Sequence, residues 1–260
     1  MKLSLLQTDL AWESPADNLE HHEELIEKAD SSDLFVLPEM FSTGFVTDPQ
    51  NVAEAVDEET GEGATFAWMQ KVAAQKGAAL AGSVAVNEGG NFYNRFYFVQ
   101  PDGISYQYDK RHLFSMGGEN KAYTRGGQQV MIQYLDFRIM PLVCYDLRFP
   151  VWSRSRGDCD LILYVASWPP SRIGAWDVLL RARAIENQCY VAGVNRVGND
   201  PCHEGYSGHS VLVDYLGQPV VAAREGREEV VDGYIEREPL DEFRKKFPAF
   251  LDADKFDFPE

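Results

Sequence analysis

The stretch FRIMPLVCYDLRFP, residues 137–150, decides the fold of this chain, because an apolar strand ends there at a cysteine. Residues 137–143 have the composition of a buried strand, and a polar turn begins directly after Cys144. A strand holds such a thiol at the carboxyl edge of its sheet, where open α/β sheets place their reactive groups. The alternative is an inert core cysteine, because free cysteines are among the most buried residues.

Two other apolar runs favour the reactive interpretation, since each ends in a charged residue. LPEMF, residues 37–41, delivers Glu39 at the end of a predicted strand, and YDKRHLF, residues 108–114, places Lys110 in a similar position. If the three strand ends converge, the Lys110 ammonium lowers the pKa of the Cys144 thiol, and the Glu39 carboxylate accepts its proton. Lys110 and the backbone amide of Tyr145 would then form the oxyanion hole of an acyl-transfer reaction.

Composition excludes several classes of protein. The chain has 260 residues and a formal net charge of −17, which opposes binding to the phosphate backbone of nucleic acid. Its cysteines lack close or CxxC spacing, which argues against a disulfide framework and a structural zinc site and favours a reducing cytoplasm. The amino terminus does not resemble a signal peptide, and no run approaches the roughly 18 apolar residues of a membrane span.

Short apolar runs alternate with helical patterns, which predicts a layered α/β fold in one domain over residues 1–260. The predicted helices cover residues 14–29, 62–76 and 174–188, with a short helix beginning near Phe149. The predicted strands are residues 2–8, 33–38, 78–86, 91–99, 104–108, 130–134, 137–143, 160–166, 189–194, 209–214, 219–223 and 229–235.

A C-terminal tail begins at about residue 239 and is rich in phenylalanine. So many aromatic side chains beyond the last strand need a surface to cover. A neighbouring subunit and the chain's own domain are equally good candidates. The phenylalanines are Phe243, Phe247, Phe250, Phe256 and Phe258.

The order of Glu39, Lys110 and Cys144, within LPEMF, YDKRHLF and VCYDLRFP, resembles the nitrilase superfamily of carbon-nitrogen hydrolases over residues 1 to about 240. The resemblance implies an α-β-β-α sandwich that pairs through its helices into a four-layer αββα-αββα homodimer. It also implies that Glu39 is the general base, Lys110 the transition-state cation and Cys144 the nucleophile that forms a thioester. No cofactor or metal is implied.

A further glutamate often lies between the lysine and the cysteine in this family, and Glu119 in MGGEN matches that place. The resemblance gives it a role in positioning substrate or water, although the glycines beside it are also typical of a flexible turn. Residues 39–45, 114–119 and 166–172 are most similar to the omega-amidase branch. That branch hydrolyses the terminal amide of short ω-amido-α-keto acids, such as α-ketoglutaramate and α-ketosuccinamate, to the dicarboxylate and ammonia.

Aromatic side chains and an arginine are the predicted substrate-binding residues. Phe41, Phe114 and Trp168 could wall a narrow pocket, although aromatics at such positions are more often core. Arg172 follows a Pro-Pro turn and could hold the carboxylate of a small carboxylated amide. Arg148 competes for this role, but we expect it to be structural and paired with Asp146.

The remaining polar residues are predicted to have structural or surface roles. His112 is predicted to be a supporting hydrogen-bonding residue, and Glu186 to pair with a nearby arginine. The pairs His21-His22 and Cys202-His203 are predicted to be solvated surface, because adjacent residues chelate metals poorly.

Other functions remain open from the sequence. A related hydrolase of N-carbamoyl compounds, aliphatic amides or nitriles would use the same three residues. A non-catalytic scaffold of the same fold would not require two acids and a cation at strand ends. A thiol redox protein would need a resolving cysteine close to Cys144.

Overall fold

Two β-sheets lie face to face in this protein, and helices cover their outer faces. The computed structural model describes residues 1–203 and 205–256. The layers follow the order α-β-β-α, which confirms the predicted sandwich.

The first sheet has seven strands, and polar residues follow several of them at one edge. Its strands are β1 (Lys2–Gln7), β2 (Leu34–Val36), β3 (Glu54–Ala55), β4 (Ala79–Glu88), β5 (Asn91–Val99), β6 (Ser105–Asp109) and β15 (Glu229–Tyr234). The order is β15-β1-β2-β4-β5-β6, with β3 beside β4. Strands β1, β2 and β4 are parallel, and β4, β5 and β6 form an antiparallel meander. The carboxyl ends of β2 and β6 therefore lie at the same edge.

The second sheet has six strands in the order β14-β13-β10-β9-β8-β7. These are β7 (Ile132–Tyr134), β8 (Phe137–Val143), β9 (Leu161–Ala166), β10 (Tyr190–Asn195), β13 (Val211–Val213) and β14 (Pro219–Ala222). The central strands β8, β9 and β10 are parallel, so their carboxyl ends also share one edge. A separate ribbon pairs β11 (Val197–Gly198) with β12 (Tyr206–Ser207).

Helices α1 (Pro15–Lys28) and α2 (Ala64–Lys76) cover the first sheet, and α4 (Ile173–Asn187) covers the second. The short α3 (Glu119–Ala122) and α5 (Arg237–Lys246) complete the α-helices of the described residues. Helix α2 ends where Gly77 adopts a φ of +63°, a conformation that glycine accepts without steric cost.

Apolar side chains alternate along the strands and fill two cores. In β1, Leu3 and Leu5 face the second sheet, whereas Leu6 faces the helices. This period of two is what a strand covered on both faces requires. The larger core lies between the sheets and continues to α4 through Trp176 and Leu180.

The predicted strands and long helices are present, and most of their ends differ by only one to three residues. Strands β5 and β8 have the predicted bounds. The helix predicted near Phe149 was wrong in position, since a 3₁₀ helix spans Cys144–Arg148 and begins at the cysteine itself.

The phenylalanine-rich tail packs on its own chain, which is one of the two predicted alternatives. Phe243 of α5 stacks on Tyr215, with ring centroids 4.8 Å apart, and Arg156 lies over the ring of Phe256. Arg244 anchors the helix by donating from Nη1 to Asp160 Oδ1 over 2.6 Å. Phe258 lies outside the described residues.

Candidate active site

Cys144 occupies a sharp turn between strand β8 and the 3₁₀ helix that follows. Its φ is +45°, in the left-handed region that residues with a side chain rarely adopt. A strand-to-helix turn of this kind presents a nucleophile above the end of its sheet. Backbone strain at such a residue is typical of functional sites.

A buried carboxylate, that of Asp146, ties the cysteine turn to the segment that carries Lys110. Its Oδ2 accepts hydrogen bonds from the backbone N–H of Val143 over 3.1 Å and from the Tyr108 hydroxyl over 2.7 Å. Its Oδ1 accepts from the backbone N–H of His112 over 2.9 Å and contacts His112 Nδ1 at 2.8 Å. Because residues 108 and 112 flank Lys110, Asp146 sets the position of the lysine relative to the cysteine.

Lys110 joins two glutamates at the carboxyl edge of the first sheet. Its Nζ lies 2.8 Å from Glu39 Oε1 and 3.0 and 2.9 Å from Glu119 Oε1 and Oε2. All three side chains are fully buried. The structure thus brings the predicted Glu39, Lys110 and Glu119 together, and Glu119 begins helix α3 rather than a loose turn.

Backbone and side-chain donors hold the two carboxylates in place. Glu39 Oε2 accepts from the Ser167 backbone N–H over 2.8 Å, and Glu119 Oε2 accepts from the Phe114 backbone N–H over 2.5 Å. The Asn94 side-chain amide donates to both Oε1 atoms, over 2.8 Å to Glu39 and 3.2 Å to Glu119. We call Glu39, Asn94, Lys110 and Glu119 the ion cluster.

Burial and charge act together on the titration of these groups. Burial alone would lower the pKa of Lys110, but Glu119 and Glu39 outweigh it and hold that pKa well above its usual value. Burial raises the pKa of Glu119, the Lys110 charge opposes this shift, and the Glu39 charge reinforces it. The lysine is therefore a permanent cation.

The Cys144 thiol differs from the prediction. Burial raises its pKa well above the usual value, Glu39 adds to the shift, and the lowering by Lys110 is smaller. The expected net lowering of this pKa was wrong, because burial outweighs the Lys110 charge and the neighbouring carboxylates oppose it. Burial and Glu39 therefore favour the neutral thiol.

The thiol lines a small cavity of about 30 Å³. Its wall, which we call the cavity wall, consists of Phe45, Phe114, Tyr145, Arg148, Ser167, Trp168, Pro169, Arg172, His203 and Tyr206. An outer chamber of about 380 Å³ shares Phe45, Phe114, Arg172 and His203 with it. The predicted Phe114, Trp168 and Arg172 are therefore in place around Cys144.

The two arginines of the cavity wall rest on aromatic rings. The guanidinium of Arg148 lies 5.0 Å from the ring centre of Trp168, and that of Arg172 lies 5.0 Å from the ring centre of Phe114. Neither forms an ion pair with a carboxylate of residues 1–203 or 205–256. The expected pairing of Arg148 with Asp146 was wrong, because that carboxylate already has four other contacts.

Phe41 is not part of the cavity wall, and its predicted role in the pocket is corrected. Its ring packs edge-on against His22 of α1 at 5.6 Å and lies 5.9 Å from Trp68 of α2. Phe41 therefore belongs to the core between the first sheet and its helices.

Three further predictions concern polar residues. Glu186 pairs with Arg183 over 2.9 Å, as expected. His22 is fully buried, so the predicted solvated surface was wrong for this residue. His21, His203 and Cys202 are partly or fully exposed, as expected, and His203 also lines the cavity wall. Asn94 was missed, although the two polar residues Asn94 and Arg95 within the aromatic run FYNRFYF of β5 were a usable signal.

The described residues contain no group of three or more histidine, cysteine, aspartate or glutamate side chains that could hold a metal ion. None of their helices has both the length and the apolar character needed to cross a membrane.

Comparison with known proteins agrees with this geometry. The family model for carbon-nitrogen hydrolases matches residues 2–245. The chain is 46% identical to the omega-amidase YafV of Yersinia enterocolitica, over 98% of both chains. It is 37% identical to the 2-oxoglutaramate amidase of Bacillus subtilis, over 97% of both.

Solved structures show the same fold. A carbon-nitrogen hydrolase superfamily protein from Xanthomonas campestris, which carries an arsenic adduct in its active site, is 44% identical with a TM-score of 0.94, over 100% of this chain and 99% of that one. Nit3 of Saccharomyces cerevisiae is 25% identical with a TM-score of 0.86, over 95% and 94% of the two chains. This chain therefore belongs to the carbon-nitrogen hydrolases of the nitrilase superfamily and is an amidase of the omega-amidase branch.

Proposed function

We propose that this enzyme hydrolyses the terminal amide of small ω-amido-α-keto acids through a thioester on Cys144. The observation that carries the proposal is the meeting of the Cys144 thiol, Glu39 and Lys110 beneath one small cavity. The two amidase relatives support the substrate class, because 2-oxoglutaramate is an acid of this kind.

The first half-reaction forms the thioester. Glu39 accepts the thiol proton as Sγ of Cys144 adds to the amide carbonyl, and negative charge develops on the carbonyl oxygen. Lys110 and the backbone N–H of Tyr145 stabilise that oxygen. Glu39 then gives the proton to the amide nitrogen, the carbon-nitrogen bond breaks, and ammonia leaves.

The second half-reaction releases the acid. Glu39 takes a proton from water as the water oxygen attacks the thioester carbonyl, and the carbon-sulfur bond then breaks. The departing sulfur regains the proton from Glu39, which restores the resting thiol. Glu119, held by Lys110 and the Phe114 backbone, positions the substrate or the water.

The cavity wall orients the substrate. Phe114 and Trp168 enclose the short carbon chain, and the small volume excludes bulky amides. The guanidinium of Arg172, which lacks an ion pair within the described chain, binds the distal carboxylate. The outer chamber allows the substrate to enter and the products to leave.

Ammonia release from α-ketoglutaramate tests this proposal directly. We expect turnover by the purified enzyme, loss of turnover in Cys144→Ala, and near-normal turnover in Cys189→Ala, which removes a buried thiol in the core. A panel with α-ketosuccinamate, glutamine, an N-carbamoyl amino acid and a nitrile separates the related activities. Faster turnover of any of the last three would overturn the assignment to keto acids.

The assembly and location of the enzyme are also proposals. We propose a cytoplasmic homodimer that pairs through its helices. The four cysteines are free, as in a reducing compartment, and Val178 and Ile185 expose apolar side chains on α4. Light scattering distinguishes this dimer from a monomer, which would contradict it.

A further inference from the structure

Asn94 touches every charged member of the ion cluster. Its side-chain amide nitrogen donates to Glu39 Oε1 and Glu119 Oε1, and its backbone oxygen accepts from the backbone N–H of Lys110 over 3.0 Å. The residue lies in β5, is fully buried, and does not line the cavity. Its contacts connect it to the site through Glu39, Glu119 and Lys110.

The two oxygens of Glu39 have different partners. Oε1 accepts from Lys110 Nζ and Asn94 Nδ2, which use both of its lone pairs. Oε2 accepts from the backbone N–H of Ser167, a residue of the cavity wall, and retains one lone pair. Oε2 is thus the oxygen on the side of the cavity that has room for a proton.

From these contacts we propose that Asn94 is a positioning residue that keeps Glu39 Oε1 unprotonated and makes Oε2 the atom that exchanges the proton with Cys144 and the leaving nitrogen. The inference rests on the proposed function and adds to it the route of the proton. Without the amide, Oε1 would regain a free lone pair, and a proton held there would face Lys110 rather than the substrate.

The amide group of Asn94 suits this role better than other side chains of its size. Its NH₂ group supplies one hydrogen to each of two carboxylates, which separates them and reduces their repulsion. Its Oδ1 is buried without a hydrogen-bond partner in the described chain. A buried acceptor of this kind destabilises a fold, and such exceptions cluster at functional sites.

The charged and titratable groups around Glu39 come from three directions. They are Lys110 after β6, Glu119 of α3 and Cys144 after β8. Tyr123 lies behind Glu119, and its hydroxyl donates to the backbone oxygen of Val46, while burial keeps it neutral by raising its pKa. An aspartate at position 94 would add a third carboxylate to this group without a new cation.

The test compares Asn94→Asp and Asn94→Ser with the wild type and with Asn87→Asp, a control at a β-hairpin turn of the same sheet. We expect kcat for α-ketoglutaramate at pH 7 to fall about 10- to 100-fold in Asn94→Asp, in line with a defect in general acid-base catalysis. KM should stay within about twofold, because Asn94 does not line the cavity, and the control should match the wild type.

The pH profile separates this role from a structural one. In Asn94→Asp the cluster holds an extra proton, so the acid limb of kcat should move upward by about one pH unit and activity should recover as pH rises. Asn94→Ser, whose hydroxyl donates to only one carboxylate, should lie between the two. Thermal unfolding identifies any variant that fails to fold, and either variant alone suffices for the comparison.

A second readout does not depend on the natural substrate. Alkylation of Cys144 by iodoacetamide requires the same proton transfer. In each Asn94 variant, the acid limb of the alkylation rate should therefore move upward by the same amount as the acid limb of turnover in that variant. Unchanged acid limbs for turnover and alkylation would overturn the role of Asn94. If the acid limb of alkylation shifts as expected but no amide is hydrolysed, the proposed function would be overturned instead.

Discussion

The ion cluster and the cavity wall adjoin each other beside the Cys144 thiol and are built in opposite ways. In the ion cluster, each charge has partners at 2.5–3.2 Å and each side chain is fully buried. In the cavity wall, Arg148 and Arg172 rest on aromatic rings without an ion pair in the described chain. In the first arrangement each charge is already paired, and the second retains binding capacity for a ligand.

This difference separates chemistry from recognition. A cluster whose charges are already fixed by their partners needs no rearrangement when charge develops on the substrate, which is the condition for electrostatic catalysis. Arg148 and Arg172, without ion pairs among the described residues, instead provide a local site for an anionic substrate in a chain of net charge −17. We therefore expect cluster variants to change kcat and wall variants to change KM.

Loss of the cluster cation should have the largest effect. In Lys110→Met, two buried carboxylates lose their shared cation and the oxyanion loses a donor, so kcat/KM should fall by roughly 10³-fold or more. Steady-state ammonia release measures this loss, with Lys28→Met as the control because Lys28 is exposed on α1 and pairs with Glu24. Retention of more than a tenth of the activity in Lys110→Met would show that the cluster is not the catalytic centre.

The meeting of the cluster residues could be predicted because topology determines it. Glu39, Lys110 and Cys144 each follow a strand, and strands that run in the same direction bring their carboxyl ends to one edge. Glu119 needed the family resemblance as well, since no strand leads to it. Asn94 pairs with partners 55 and 25 residues away, and a single polar residue in a strand does not specify such contacts.

The cavity wall was harder to predict because it depends on side-chain direction. Met40 has a φ of +46°, so the alternation of the preceding strand does not continue to Phe41, which turns toward the helices. Phe45, four residues later, lines the wall instead. Arg148 reached the cavity because backbone and side-chain donors from distant segments already occupy Asp146.

Substitution of the two arginines of the cavity wall should have the next largest effect, and this effect should be on KM. Arg172→Ala should raise KM for α-ketoglutaramate about 10- to 100-fold, the value of a charge-assisted hydrogen bond, with little change in kcat. Arg148→Ala should have the smaller effect on KM. A neutral amide of the same length, which lacks the carboxylate, should show no difference between wild type and Arg172→Ala. An unchanged KM in Arg172→Ala with a raised KM in Arg148→Ala would transfer the role to Arg148.

Substitution of His22 should have the smallest effect on activity, because His22 packs against Phe41, which belongs to the core between the first sheet and its helices. Its Nδ1 donates to the Asn18 backbone oxygen over 2.6 Å, and its Nε2 lies 3.0 Å from the Thr8 hydroxyl. Burial lowers its pKa to about 3, and no carboxylate within the described part of the chain compensates a charge there. The ion cluster buries charges that are paired, whereas this site buries a base that must remain neutral.

Because of this contrast, His22 should make stability depend on pH but should leave catalysis unaffected. Between the unfolded pKa near 6.5 and the folded pKa of about 3, the unfolded chain binds one more proton than the folded chain, so stability falls as pH falls. His22 should contribute up to about 1.4 kcal/mol per pH unit in this window. Urea unfolding at pH 7, 6 and 5 gives the free energy of unfolding at each pH. This free energy should depend less steeply on pH in His22→Gln than in the wild type. In His21→Gln, whose side chain is partly exposed, the dependence should match the wild type. Equal slopes in the two variants, or a loss of turnover in His22→Gln at pH 7 beyond about twofold, would show that this part of the scaffold is not independent of the site.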